Sequence, residues 1–332
     1  MTGSARISCP AILPDTPTAH TYSIVARDPI SGEIGVAVQS HWFSVGSTVS
    51  WAEAGAGAVA TQAFADPGYG KMGVELMRAG QSAPDTLAKL LASDRKREIR
   101  QVAMVDAQGR VAVHTGQATI PEAGHETGDG FSVQANMMLK ATVWPAMAEA
   151  FRTASGDLAE RMLAALEAAE REGGDVRGRQ SAAMLVVRRT PTGLAWLDRT
   201  FDIRVDDHPE PLAELKRLMR VQRAYGHKMA GDSAFAKGDV ERGTLEYEQA
   251  RSLVPDNLEF PFWHAVALLS LGRMEQATES FREVFARDGN WAILGVRMAR
   301  SGLMPCDTAT AERVMAQAAR GADPEGIGAP RP

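Results

Sequence analysis

The chain has 332 residues, 45% hydrophobic and 23% charged, the balance of a sequence that folds around a buried core. Its length predicts two domains, and its net charge of -5 gives no electrostatic reason to expect nucleic acid or an anionic membrane as partner. Small molecules or other proteins are the expected partners. The only cysteines, Cys9 and Cys306, lie near opposite ends, which argues against a disulfide framework and a cysteine-based metal site and fits a reducing, cytoplasmic compartment. No apolar run approaches the roughly 18 residues of a membrane-spanning helix, and the prolines at 10 and 14 break up the start in a way that does not read as a secretory signal.

Residues 1–20 contain Pro10, Pro14 and Pro17 and no periodicity, which predicts a flexible arm or pro-segment. Alternating runs at 21–27 and 34–40 flank the turn-forming Asp28-Pro29-Ile30-Ser31-Gly32 and predict a β-hairpin. A strand at 45–51 and a Gly/Ala-rich strand at 57–62 follow, then helices at 70–79 and 83–93, the second with Ser82 as cap and Asp85 in its first turn. A second hairpin joins 100–106 to 110–114, and a short strand is expected at 131–136. Two helices at 143–153 and 158–171 precede strands at 181–188, 194–198 and 201–205. Blocks of strands alternating with pairs of helices predict an α+β protein, a four-layer αββα sandwich of antiparallel sheets.

After residue 208 the strand signals stop. Gly238 and Gly272, Gly243 and Ala277, Tyr247 and Phe281, and Ala250 and Val284 are each 34 residues apart, the period of a tetratricopeptide repeat. Pro255 closes the first unit as that repeat expects, whereas Gly289 stands at the equivalent point of the second. With flanking helices at 211–225 and 291–300, two repeats form a small stack for self-association or partner docking. The expected organisation is an arm over 1–20, a sandwich domain over 21–207, a helical repeat domain over 208–320 and a disordered Gly/Pro-rich tail over 321–332.

A hydroxyl residue at the head of the first hairpin is where an N-terminal nucleophile sits, and Ser23, two positions on, shares its face. The sequences Thr-Tyr-Ser-Ile-Val-Ala-Arg-Asp-Pro (21–29), Gly-Val-Ala-Val-Gln-Ser (35–40), Phe-Ser-Val-Gly (43–46) and Ala-Thr-Gln (60–62) continue with Val-Asp-Ala-Gln-Gly (105–109), His-Thr-Gly (114–116), Val-Gln-Ala-Asn (133–136) and the segment 173–182. In combination they resemble the family called domain of unknown function 1028, assigned to the N-terminal-nucleophile hydrolase superfamily, over about 21–205. The resemblance implies the αββα sandwich of proteasome β-subunits and related amidohydrolases, with Thr21 as nucleophile. Many members begin directly at Met-Thr, whereas here an arm precedes the threonine.

The reaction so implied is hydrolysis of a C–N amide-type bond in a small molecule or peptide, without cofactor. The free Thr21 amine takes the proton of its own Oγ as that oxygen attacks the carbonyl, and water resolves the acyl-enzyme. Gln62 and Asn136, or backbone N–H groups near 55–62, are the expected oxyanion donors, and Gln39 and Ser40 the residues that orient the amine. Tyr69, in an Asp-Pro-Gly-Tyr-Gly turn, His114 at a strand end, and Arg177 are expected substrate contacts. The 173–181 loop lacks the Lys-Ser/Thr and following helix of a phosphate loop, and no histidine or aspartate spacing predicts a metal. The competing reading is a catalytically silent sandwich that serves as a binding or scaffold protein and docks partners on its helical repeats.

Overall fold

A computed structural model describes residues 18, 19 and 21–320; residues 1–17 and 20 of the expected arm over 1–20, and the tail over 321–332, lie outside the described residues. The chain divides into two compact units between Leu218 and Met219.

The first unit is built on two antiparallel sheets. β1 (Thr18–Ala19), β4 (Ser50–Glu53), β5 (Gly57–Phe64), β6 (Arg100–Asp106) and β7 (Val111–Thr115) form one, in the order β1-β5-β6-β7, with β4 also paired to β5. β2 (Thr21–Arg27), β3 (Ile34–Ser40), β8 (Gly124–Gly128), β9 (Phe131–Ala135), β10 (Ser181–Val187) and β11 (Arg199–Val205) form the other, ordered β11-β10-β3-β2-β9-β8. Both central strands of the second sheet are wholly or almost wholly buried, as expected of strands rich in Val and Ile and covered on both faces. Their inward residues Val25, Val36 and Val38 meet Ala58, Ala60 and Val105 of the first sheet in one apolar core.

α2 (Pro67–Arg78) and α3 (Ala83–Ser93) pack on β4 to β7, whereas α4 (Val143–Thr153) and α5 (Leu158–Arg171) pack on β2, β3, β8 and β9; the short α1 (Gly46–Val49) precedes β4. Side-chain caps start three of these four longer helices, and Thr142 before α4 makes no such bond. Asp66 caps α2 with Pro67 in its first turn, Ser82 caps α3, and Asp157 with Glu160 forms a reciprocal capping box on α5. Close approach depends on two glycines. A Cβ at Gly35 would lie 2.7 Å from the Met162 methyl of α5, and one at Gly57 only 2.4 Å from the Val105 carbonyl.

The second unit follows within α6 (Pro211–Ala236), which runs across the division, and continues through α7 (Val240–Leu253), α8 (Glu259–Ser270), α9 (Met274–Arg287), α10 (Asn290–Arg300) and α11 (Thr308–Ala318). Gly238 and Gly272 take equivalent positive φ angles of 79° and 72° just before α7 and α9. Tyr247 and Phe281, Ala250 and Val284, and Gly243 and Ala277 are all buried, so residues 34 apart occupy like environments. Phe260, Phe262, Phe281 and Phe285 centre a core of this unit's own. Among the described residues no helix is long and apolar enough to cross a membrane.

Several expected elements change. The run at 45–51 is the short helix α1 plus β4, with the Val49 N–H bonded back to the Val45 carbonyl at 3.0 Å in a helical turn. Residues 194–198 form the β10–β11 connection rather than a strand, with Trp196 71% exposed. Thr18 and Ala19 belong to a strand rather than a flexible arm, since they pair with Phe64 and Ala63 of β5 and Ala19 is fully buried. β8 and α11 were not anticipated, for β8 carries two glycines and α11 follows a break at Pro305.

Candidate functional site

Thr21 opens β2 directly opposite Ser40 of β3, which in turn lies opposite Ser181 of β10, so three hydroxyl residues cross the end of the six-stranded sheet in one row. Directly opposed residues share a face. Thr21 is completely buried, and its Oγ1 donates to the Ala19 carbonyl at 2.8 Å. Ser181 Oγ donates to the Trp42 carbonyl and accepts from the Val45 amide, which ties the loop after β3 to the same row.

Two cross-strand polar pairs face each other between the sheets beside this row. Ser23 and Gln134 are opposed in β2 and β9; Gln62 and Gln101 are opposed in β5 and β6. Gln134 Nε2 donates to Ser23 Oγ at 2.6 Å, and Ser23 Oγ donates to Gln62 Oε1 at 2.6 Å. Gln62 Nε2 reaches the Thr21 carbonyl at 3.2 Å and Gln101 Oε1 at 2.7 Å. Asn136, just after β9, donates through Nδ2 to the same two oxygens at 3.3 and 2.9 Å, and its backbone N–H also donates to the Thr21 carbonyl. Gln101 Nε2 continues the chain to Thr115 Oγ1, which contacts His125 Nδ1 at 2.9 Å. Burial first, then neighbouring His114, lowers the His125 pKa and keeps that ring neutral to lower pH.

Ser23, Gln62, Gln101, Gln134 and Asn136 are all fully buried. In an apolar core each amide would incur a penalty of several kcal/mol unless paired, and here they pair with one another. Two strained backbones adjoin the network: Ala63 and Met137, with φ of 67° and 58°, directly follow Gln62 and Asn136. Left-handed conformations at non-glycine residues cost about 1–3 kcal/mol each and persist where surrounding contacts over-determine them.

The remaining expected site residues lie elsewhere. Gln39 pairs with Tyr22 and Ala182, so it faces α5, on the opposite side of the sheet from Thr21, and both its side-chain amide atoms lack partners. Tyr22 on that face hydrogen-bonds Glu170, and burial followed by the Glu170 charge pushes its pKa well up. Tyr69 is a buried residue of α2 that donates to Asp94, itself paired with Arg100 at 3.0 Å, rather than bordering a pocket. Its pKa is raised by burial and then by Asp94. Arg177 is held by the buried Asp175 carboxylate through two nitrogens at 3.0 and 2.7 Å. His114 Nε2 contacts the Arg97 carbonyl at 2.8 Å.

The structure thus brings together Thr21, Ser23, Ser40, Gln62 and Asn136, and separates Gln39, Tyr69, His114 and Arg177 from them. Sequence reasoning missed Gln101 and Gln134. The signal was present, since Ser132, Gln134 and Asn136 alternate on one face of an otherwise apolar strand. Two clefts, of about 250 and 310 Å³, run along the β4, β10 and β11 edges and are lined by residues such as Trp51, Arg78, Arg199 and Arg204, not by Thr21 or its amides. Among the described residues no three His, Cys, Asp or Glu side chains gather as a metal-binding group.

Two antiparallel sheets with helix pairs on their outer faces, joined by a buried amide network, define the first unit as a mixed α+β protein. The chain belongs to the family of unknown function DUF1028, whose match spans residues 21–215. Among solved structures it is similar to protein SPO2555 from Silicibacter pomeroyi, also of that family, at 32% identity and a TM-score of 0.54, over 60% of this chain and 88% of the other. Comparison with curated proteins gives no match.

Proposed function

We propose that the first unit is an αββα sandwich of the N-terminal-nucleophile hydrolase type, which hydrolyses amide C–N bonds once Thr21 becomes the N-terminus. The observation that carries this reading is the convergence of Gln62 and Asn136 on the Thr21 carbonyl, which fixes the main chain of the nucleophile from two strands of different sheets. A freed α-amine at Thr21 would sit beside Oγ1 in the same residue, the base and nucleophile this chemistry requires. With residues 1–20 gone, Oγ1 also loses the Ala19 carbonyl to which it now donates. Gln62 and Asn136 act as positioning residues, since their donors serve Thr21 itself. The helical unit is proposed to be tetratricopeptide-like and to dock a protein partner.

A second reading, a silent scaffold, draws support from the same bond. In the unprocessed chain Thr21 is wholly buried and its hydroxyl engaged. Intact mass and N-terminal sequencing, paired with amine release from a panel of amide substrates, separate the two. The hydrolase reading expects Thr21 as first residue in the active form and a loss of about 10³-fold or more in Thr21→Ala. Full activity in a chain that retains residues 1–20 overturns it.

A further inference from the structure

We propose that His125 is a positioning residue for Thr21: as its Nε2–H tautomer it is the terminal acceptor of a one-way hydrogen-bond chain through Gln62 and Gln101, and protonation of the ring unsettles the donors on the Thr21 carbonyl. The consequence for catalysis rests on the reading of Thr21 as nucleophile; the tautomer and its coupling to the network do not. Two rows of three residues face each other between the sheets. Gln62, Gln101 and Thr115 are directly opposed across β5, β6 and β7, and Ser23, Gln134 and His125 across β2, β9 and β8. Opposed residues share a face of their sheet, so each row is presented to the other. Side-chain contacts tie the rows at both ends, Ser23 to Gln62 at 2.6 Å and Thr115 to His125 at 2.9 Å. His125 is the sixth member of this polar layer.

Backbone carbonyls set the direction of the chain. A carbonyl only accepts, so the amide atom that faces one is nitrogen. Gln62 turns Nε2 to the Thr21 carbonyl, and Gln101 turns Nε2 to the carbonyls of Gly124 and Ala135 at 3.2 and 2.9 Å. Their oxygens are then left to accept, Gln62 Oε1 from Ser23 and Gln101 Oε1 from Gln62 and Asn136. Among the described residues Thr115 Oγ1 has two partners, Gln101 Nε2 and His125 Nδ1. The first is a donor, so the hydroxyl proton goes to Nδ1, and the neutral ring carries its own proton on Nε2.

Protonation at Nδ1 reverses that last bond. The ring becomes the donor, the Thr115 hydroxyl proton loses its acceptor, and Gln101 shares Thr115 Oγ1 with a second, charged donor. Gln62 and Asn136, which both bond the Thr21 carbonyl, also share Gln101 Oε1, so a displaced Gln101 acts on both. Few charges surround the ring. His114 of β7 acts on it, β9 contributes no ionisable group, and Glu126 of β8 turns to the other face, where Arg152 of α4 holds it at 2.7 Å. Glu149 of α4 is exposed, and Glu122 and Asp129 lie in the loops at the ends of β8. Burial and His114 favour the neutral ring, the same direction as the Thr115 hydroxyl.

NMR of the full chain, labelled with 15N-histidine and 15N-asparagine, tests the proposal. At pH above the titration the His125 signals, assigned by their loss in His125→Asn, should show a bare Nδ1 and a protonated Nε2. Thr115→Val keeps the shape and removes the donor; it should raise the proton affinity of His125 by about threefold or more, and Thr115→Ser should restore it. The backbone N–H of Asn136, which donates to the Thr21 carbonyl at 3.1 Å, reports at the nucleophile. Its signal should follow the His125 titration in the wild-type chain and stay level in His125→Asn, whose amide oxygen replaces Nδ1 as acceptor and takes no proton. A neutral ring protonated on Nδ1, a folded Thr115→Val chain with an unchanged His125 titration, or an Asn136 signal that ignores His125 in the wild-type chain would overturn the proposal. Full amide hydrolysis by Thr21→Ala would remove the nucleophile reading alone, because these spectra are read without turnover.

Discussion

Gln101 holds both halves of the buried network. Its Oε1 accepts from Gln62 and Asn136, and its Nε2 serves Thr115 Oγ1 and the carbonyls of Gly124 and Ala135. Replacing it with Leu keeps the approximate shape but strands several buried partners. Gln101→Leu should therefore destabilise the fold by about 2–4 kcal/mol, measured by urea unfolding. At this scale the sequence was legible for the grouping of Thr21, Ser23, Gln62 and Asn136, which the fold brings together, although Gln62 and Asn136 donate to the Thr21 carbonyl. It misled where side-chain parity mattered: Gln39 is one position from Ser40, and in a strand that single step moves it to the α5 face. Gln101 went unnoticed because its partners come from four strands or their ends, which no local pattern encodes.

Among the elements, α8 carries a buried ionisable ring. His264 stacks on Tyr247 with centroids 5.1 Å apart and lies 5.8 Å from the Phe235 ring, while its Nε2 has no partner. Burial, then the Arg251 charge, lowers its pKa to about 4. The unfolded chain binds this proton near pH 6.5 while the folded chain resists it. Stability from the neutral ring is therefore complete above about pH 6.5 and is lost as pH falls through that value toward 4. Melting of the helical unit should drop over this window, by at most about 3 kcal/mol, and His264→Leu should flatten the dependence. Apart from α1 and α11, the helices were legible because caps and apolar spacing are local signals; the 34-residue period located both Gly238 and Gly272 in equivalent turns. The short strands β4 and β8 were harder to read, since their identity depends on the neighbours that pair with them.

For the whole molecule, the relevant fact is that each unit has its own apolar interior. Met104 of β6 is buried in the cluster that the first sheet forms with α2 and α3, and Phe281 lies in the helical unit. Calorimetry should resolve two transitions, with Met104→Ala lowering one and Phe281→Ala the other, each by about 2–5 kcal/mol. A shared shift of both transitions would contradict this. The existence of two units was readable from the switch between strand-rich and helix-rich sequence, but the division at Leu218 falls inside α6, where composition and helical period are continuous and give no sign.

The two-residue strand β1 makes any cut before Thr21 more than a change of terminus. Thr18 and Ala19 stay paired to Phe64 and Ala63 while the backbone tethers them, because the tether gives them a high effective concentration at β5, about millimolar or above. Severed, so short a pairing has no affinity of its own to replace it. The departing peptide would vacate the slot that Ala19 fills, beside the very hydroxyl it now occupies. Gel filtration followed by mass spectrometry of a cleaved sample should find residues 1–20 absent from the protein peak, so that cleavage and opening of the slot are a single, irreversible event.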